Sequence, residues 1–136
     1  MYRVTQEISF CYGHRLLRYQ GKCARLHGHN GTARITLGAE ALDGQGMVAD
    51  FDGIEKTMRA FIDETIDHRL LLHKDDALCK ALEDQREPFV PVDFNPTAEN
   101  IARMIFEHAA RKGYPVVEVE LVEQQGSIAS YSPSSL

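Results

Sequence analysis

The sequence predicts an α+β domain with the element order strand, strand, helix, helix, strand, strand. Two stretches of alternating polarity open the chain, two segments of helical period fill its middle, and two further alternating stretches close it. The 136 residues suit one domain, 1–136, with the Ser-rich end at 132–136 expected to fray. Hydrophobic residues make up 43% and charged residues 26%, values of a folding globular chain that exclude a disordered, collagenous or coiled-coil protein.

Tyr2, Val4, Ile8 and Phe10 share one parity and Arg3, Thr5, Glu7 and Ser9 the other, which predicts a first strand with one buried face. Ala33, Ile35 and Leu37 alternate with Thr32, Arg34 and Thr36 in a second strand ending near Gly38. Between them, Tyr12 to Asn30 reads as a long loop, and long loops inside compact domains are usually functional. After Asp43-Gly44-Gln45-Gly46, the spacing of Phe51, Ile54, Met58, Phe61, Ile62 and Ile66 predicts a helix over 52–66, with Asp52 and Glu55 resembling a capping box. A second helix starts after Asn95-Pro96-Thr97, where either Asn95 or Thr97 can cap it, presents Ile101, Ile105 and Ala109, and stops at Gly113. A short helix is expected near 77–83. Val117, Val119 and Leu121 alternate with Glu118 and Glu120, and 127–131 completes a hairpin.

The formal charge of −5 argues against nucleic acid as a partner. No stretch approaches the roughly 20 apolar residues of a membrane helix, and the N-terminus lacks a signal-peptide core, so no membrane partner is expected and the cytoplasm is the expected location. Cys11, Cys23 and Cys79 fit no disulfide framework and read as free thiols, Cys11 and Cys79 as small packing residues. Charge is unevenly placed: between Glu7 and Glu40 there is no carboxylate, while Arg15, Arg18, Lys22, Arg25 and Arg34 stand among three histidines. Such a window can attract a small anion.

His27-Gly28-His29 is the sharpest chemical signal. Histidines at i and i+2 on extended backbone point the same way and can share one ion. His14 adds a third nitrogen if the loop folds back, and three neutral nitrogens suit zinc with one position left open. Cys23 lies four residues before His27, and spacing alone leaves it as a fourth ligand or as a thiolate acting on substrate. In Asp67-His68 a carboxylate can orient an imidazole for proton transfer if the backbone bends there. Glu123 continues the apolar parity of Val119 and Leu121, so its charge points inward and needs a partner. His73 and His108 read as solvent-facing.

Taken together, Phe10 with His14, Gly21-Lys22-Cys23, Leu26-His27-Gly28-His29-Asn30, Gly46-Met47-Val48-Ala49-Asp50-Phe51, Asp67-His68, Pro96-Thr97-Ala98-Glu99-Asn100 and Glu123 with Tyr131 resemble the 6-pyruvoyltetrahydropterin synthase superfamily. The three-residue gap between Cys23 and His27 resembles its 6-carboxytetrahydropterin synthase branch of queuosine biosynthesis. The resemblance implies a tunnelling fold (T-fold), a four-stranded antiparallel sheet backed by two helices, joined into an oligomeric barrel, commonly a dimer of trimers with active sites at subunit interfaces. It implies zinc (Zn2+) on His14, His27 and His29, Cys23 as catalytic acid or base, Asp67 and His68 completing a proton relay, and Glu123 anchoring a pterin ring. The implied substrate is 7,8-dihydroneopterin triphosphate, a small pterin triphosphate, converted to 6-carboxy-5,6,7,8-tetrahydropterin with loss of acetaldehyde and triphosphate. Triphosphate elimination without carbon loss, or a closed structural zinc site that includes Cys23, are the alternatives. Gly31 replaces an aromatic residue common in the family, Tyr12 a small one and Gln124 a threonine, and the 73–94 connection is long; these departures bear on the shape of the pocket.

Overall fold

The computed structural model describes residues 1–134. In chain order its elements are β1 Tyr2–His14, β2 His27–Ala39, α1 Phe51–Thr65, β3 Arg69–His73, α2 Leu78–Asp84, β4 Val90–Val92, α3 Ala98–Arg111, β5 Val116–Gln124 and β6 Ser127–Tyr131. The strands form one sheet in the order β4-β3-β1-β2-β5-β6. Of the segment expected to fray, 132–134 holds no helix or strand, and 135–136 lie outside the described residues.

The α+β class stands, but four strands and two helices become six and three. The two additional strands run parallel to their neighbours, β3 beside β1 and β4 beside β3, so the sheet is mixed. Leu70-Leu71-Leu72 does not alternate: Leu71 and Leu72 are both fully buried, as in a strand covered on both faces. In β4, Pro91 removes a donor, which an edge strand tolerates. The short helix expected near 77–83 is α2.

The core lies between one sheet face and the two long helices. Ile8, Phe10, Ala33, Ile35, Leu37, Val119 and Leu121 meet Ile54, Met58 and Ile62 of α1 and Ile101, Ile105 and Ala109 of α3. Fully burying one such aliphatic side chain stabilises by about 1.5–3 kcal/mol. The cap of α1 is Asp50, whose Oδ1 accepts the Asp52 N–H at 2.9 Å; the expected Asp52–Glu55 box is replaced because the helix starts one residue earlier. Thr97 caps α3 by accepting the Asn100 N–H at 3.2 Å, which frees Asn95 for another task. His73 and His108 do not face solvent as expected. His73 Nδ1 accepts the Asp75 N–H at 3.0 Å with its side chain largely covered, and the His108 ring stacks on Phe61 at 3.8 Å between centroids.

The expected loop from Tyr12 to Asn30 is strand at both its ends, 12–14 and 27–30. β1 and β2 pair without interruption from Tyr2 opposite Ala39 to His14 opposite His27. Only 15–26 connects them, with a single 3₁₀ turn at Lys22–Ala24.

Candidate metal centre and active site

Paired residues of an antiparallel ladder share a face, and the ladder sets Tyr12 opposite His29 and His14 opposite His27. The apolar face of the core thus continues along the same two strands into imidazoles. His14 arrives by strand pairing, not by a loop folding back. The three His14, His27 and His29 donor atoms lie within 4.8 Å of one another, and the rings pack at centroid distances of 4.6, 4.9 and 5.1 Å.

Contacts on the far side of two rings fix their tautomers. His14 Nδ1 lies 2.6 Å from the carbonyl oxygen of Pro96, and His27 Nδ1 lies 2.6 Å from that of Arg25. A carbonyl oxygen only accepts, so each Nδ1 carries its proton and each Nε2 turns a lone pair inward. Those two Nε2 atoms face each other at 3.1 Å. Two opposed lone pairs repel unless a cation lies between them; nitrogens at about 2.0–2.1 Å from a tetrahedral ion stand about 3.4 Å apart. His29 Nε2 is buried without a hydrogen-bond partner among the described residues. Burial lowers the pKa of His14 and of His29, which favours the neutral, ligating form. The donor set therefore fits a zinc ion.

Glu123 turns inward, as its parity requires. Its Oε1 lies 3.4 Å from His29 Nε2 and its Oε2 accepts from the Tyr12 hydroxyl at 3.4 Å. Burial first, then the Glu123 charge, pushes the Tyr12 phenol above its ordinary range, so the hydroxyl keeps its proton and donates. Two departures from the family pattern meet here: the Tyr12 ring lies over Gly31, where an added Cβ would come within 3.2 Å of it.

Cys23 stands at the edge of a cavity of about 710 Å³, whose walls also carry His14, Tyr19, Thr97 and Glu123. It is not part of the three-histidine cluster. The 15–26 connection is held in place from outside. The Arg15 guanidinium pairs with Asp76, whose side chain is 1% exposed, donating from Nε at 2.8 Å. Asn95 clamps Leu17 through both backbone groups, at 2.7 and 3.1 Å, and the Leu16 N–H donates to the Cys23 carbonyl at 2.9 Å. Gly21 has φ +150°, and a Cβ there would lie 2.7 Å from the Tyr19 ring. Tyr12, Asp76 and Asn95 were not read as site residues. Asn95 was legible only as a helix cap and Tyr12 only as a departure bearing on the shape of the pocket, and Asp76 carries no local signal.

Asp67 and His68 do meet each other. His68 has φ +57°, an unusual value for a non-glycine residue, and this bend brings its Nδ1 3.0 Å from Asp67 Oδ2. Asp67 Oδ1 accepts the Cys11 N–H at 2.9 Å; that bond first, and His68 second, holds the Asp67 carboxyl below the usual carboxylate range. The His68 side chain is 80% exposed. Within one chain the pair does not line the cavity of Cys23: both residues border one beside Cys11 and Asn30, and His68 also borders one lined by His27 and His29.

A three-histidine cluster against Glu123, with Cys23 on the wall of the adjoining cavity, is a site suited to a metal ion and a small-molecule guest at the end of a mixed α+β sheet. Residues 3–134 match the family described as 6-pyruvoyl tetrahydropterin synthase, and the chain belongs to it. A 6-carboxy-5,6,7,8-tetrahydropterin synthase of Rickettsia conorii is 41% identical over 107 residues, 75% of each chain. Another protein of that name, from Synechocystis, is 32% identical and covers 96% of this chain and 93% of its own. Among solved structures, the 6-pyruvoyl tetrahydropterin synthase of Caenorhabditis elegans superposes with a TM-score of 0.70 at 28% identity, covering 98% of both chains. The resemblance read from the sequence motifs is borne out.

Proposed function

We propose that this chain is a zinc-dependent lyase that converts 7,8-dihydroneopterin triphosphate and one water to 6-carboxy-5,6,7,8-tetrahydropterin, acetaldehyde and triphosphate. The observation that carries the reading is the convergence of three imidazoles on one point beside Glu123, with Cys23 on the adjoining cavity wall. The names of the curated relatives support it.

His14, His27 and His29 would hold the zinc ion, which when bound supplies Lewis-acid polarisation of the substrate's oxygenated side chain. Glu123 binds the amino and ring N–H donors of the pterin. Cys23 takes and returns a proton at the side-chain carbons. Asp67 holds the Nδ1 proton of His68, leaving Nε2 to exchange a proton with substrate. His68 borders a cavity with His27 and His29 but not the one that Cys23 lines, and with its side chain exposed on the surface it would meet the thiol of a neighbouring copy in a homo-oligomer. Two cations of the basic window are already used, Arg15 by Asp76 and Arg34 by Glu7. Arg18, Lys22 and Arg25 have no ion-pair partner among the described residues and are left to attract the triphosphate.

Mass spectrometry of the product formed from 7,8-dihydroneopterin triphosphate tests the reading. Loss of a two-carbon fragment together with triphosphate is expected. Triphosphate loss with all carbons retained would instead assign the 6-pyruvoyl activity, and an unchanged substrate would leave only a zinc-binding module.

A further inference from the structure

Tyr12 is a buried hydroxyl that the proposed reaction does not use. Only 3% of the residue is exposed, so it does not touch a guest in the cavity. Its ring stands between the imidazoles and the core, 5.1 Å from the His14 ring, 5.6 Å from the His29 ring and 5.6 Å from Phe10. A buried hydroxyl needs a partner, and the side-chain group it reaches is Glu123 Oε2 at 3.4 Å.

Room for this arrangement comes from Gly31. An added Cβ there would lie 3.2 Å from the Tyr12 ring, 3.3 Å from the Val122 carbonyl oxygen and 3.5 Å from Phe10. Any side chain at 31 would therefore press on the tyrosine or on the strand that carries Glu123. That strand is irregular here, with its register against β6 shifting between Val122 and Gln124. The backbone alone thus holds Glu123 less firmly than Leu121, and a side-chain contact has something to fix.

We propose that Tyr12 is a positioning residue for Glu123: its hydroxyl occupies one lone pair of Oε2 and sets the carboxylate's orientation toward the cavity, where the remaining lone pairs receive the N–H donors of a pterin. The inference rests on the reading of Glu123 as the anchor. At 3.4 Å the bond is long for O–H···O, and its worth is what removal of the hydroxyl alone measures.

The test is a double-mutant cycle on the zinc-loaded protein, with 7,8-dihydroneopterin as calorimetric probe and zinc content measured alongside. Tyr12→Phe keeps the ring and removes only the hydroxyl. It is expected to keep its zinc, to weaken the probe's Kd about tenfold, and to place its kinetic loss on KM. Glu123→Gln weakens binding as well, and adding Tyr12→Phe to it costs little more, because the hydroxyl acts through the carboxylate. A Tyr12→Phe Kd within twofold of wild type, or fully additive losses, would overturn the proposal while leaving the anchor in place. An unchanged Kd in Glu123→Gln would overturn the anchor and the proposal with it.

Discussion

The two ends of one sheet face differ in what the same ladder carries. At one end, Ile8 opposite Ala33 and Gln6 opposite Ile35 lead into a core of aliphatic side chains under α1 and α3. At the other, Tyr12 opposite His29 and His14 opposite His27 hold imidazoles in the same register. The strands run unbroken between the two. The difference teaches that site precision is inherited from the core end: the ladder that buries Ile35 also sets His14 against His27, and only short contacts to Pro96 and Arg25 are added.

The strongest way to break this comparison is to substitute each end. His27→Ala should lose stoichiometric zinc and with it essentially all turnover, yet still melt cooperatively. Ile35→Ala should lower stability by about 2–5 kcal/mol while the folded fraction keeps its zinc. Zinc content and denaturant melts check both, and a His27→Ala variant with full zinc content would contradict the assignment of that ring.

A second contrast sets the Cys23 side of the molecule against the Asp67–His68 side. Cys23→Ala and His68→Ala should each be inactive. Co-refolded in equal amounts, they should regain about a quarter of wild-type activity if each site takes its thiol from one copy and its imidazole from another at random. No recovery would place both groups in one chain's site.

The smallest effect concerns the tether of the 15–26 connection. Asp76→Ala removes a charge-assisted hydrogen bond from the partly exposed Arg15 and should cost about 2 kcal/mol, with a larger loss in kcat/KM than Lys74→Ala, whose ion pair lies at the surface. The Asp76 carboxyl is held below the usual carboxylate range, first by the hydrogen bond from Arg15. A depressed carboxylate contributes fully above its unfolded pKa of about 3.9, and the contribution is lost as pH falls through the lower folded value. The stability difference between wild type and Asp76→Ala should therefore be constant near neutrality and shrink in acid below that point.

The parts of the molecule that alternate or repeat with helical period were legible in the sequence. The core faces of β1, β2, α1 and α3 follow from spacing alone, as do Val119 and Leu121 of β5, the inward turn of Glu123 and the shared direction of His27 and His29. Val117, expected on the same face of β5, is not on it, because a register shift between Thr36 and Leu37 sets Val116 opposite Leu37 and packs it against the core instead. β3 was not, because a strand covered on both faces has no alternation to read, and β4 is three residues long with a proline in its centre. The role of Asn95 was hidden by a competing signal, since an Asn before Pro-Thr reads as a helix cap. Tyr12 was hidden because its meaning depends on Gly31 and Glu123, 19 and 111 positions away. The bend that lets Asp67 reach His68 was anticipated as a condition; the φ of +57° meets it.

X-ray absorption at the zinc edge tests the central claim most directly. Three imidazoles with Cys23 outside the shell predict only nitrogen and oxygen scatterers at about 2.0–2.1 Å, and the same spectrum from Cys23→Ala. A sulfur scatterer at about 2.3 Å in the wild-type protein, absent from that variant, would make Cys23 a ligand and contradict the account.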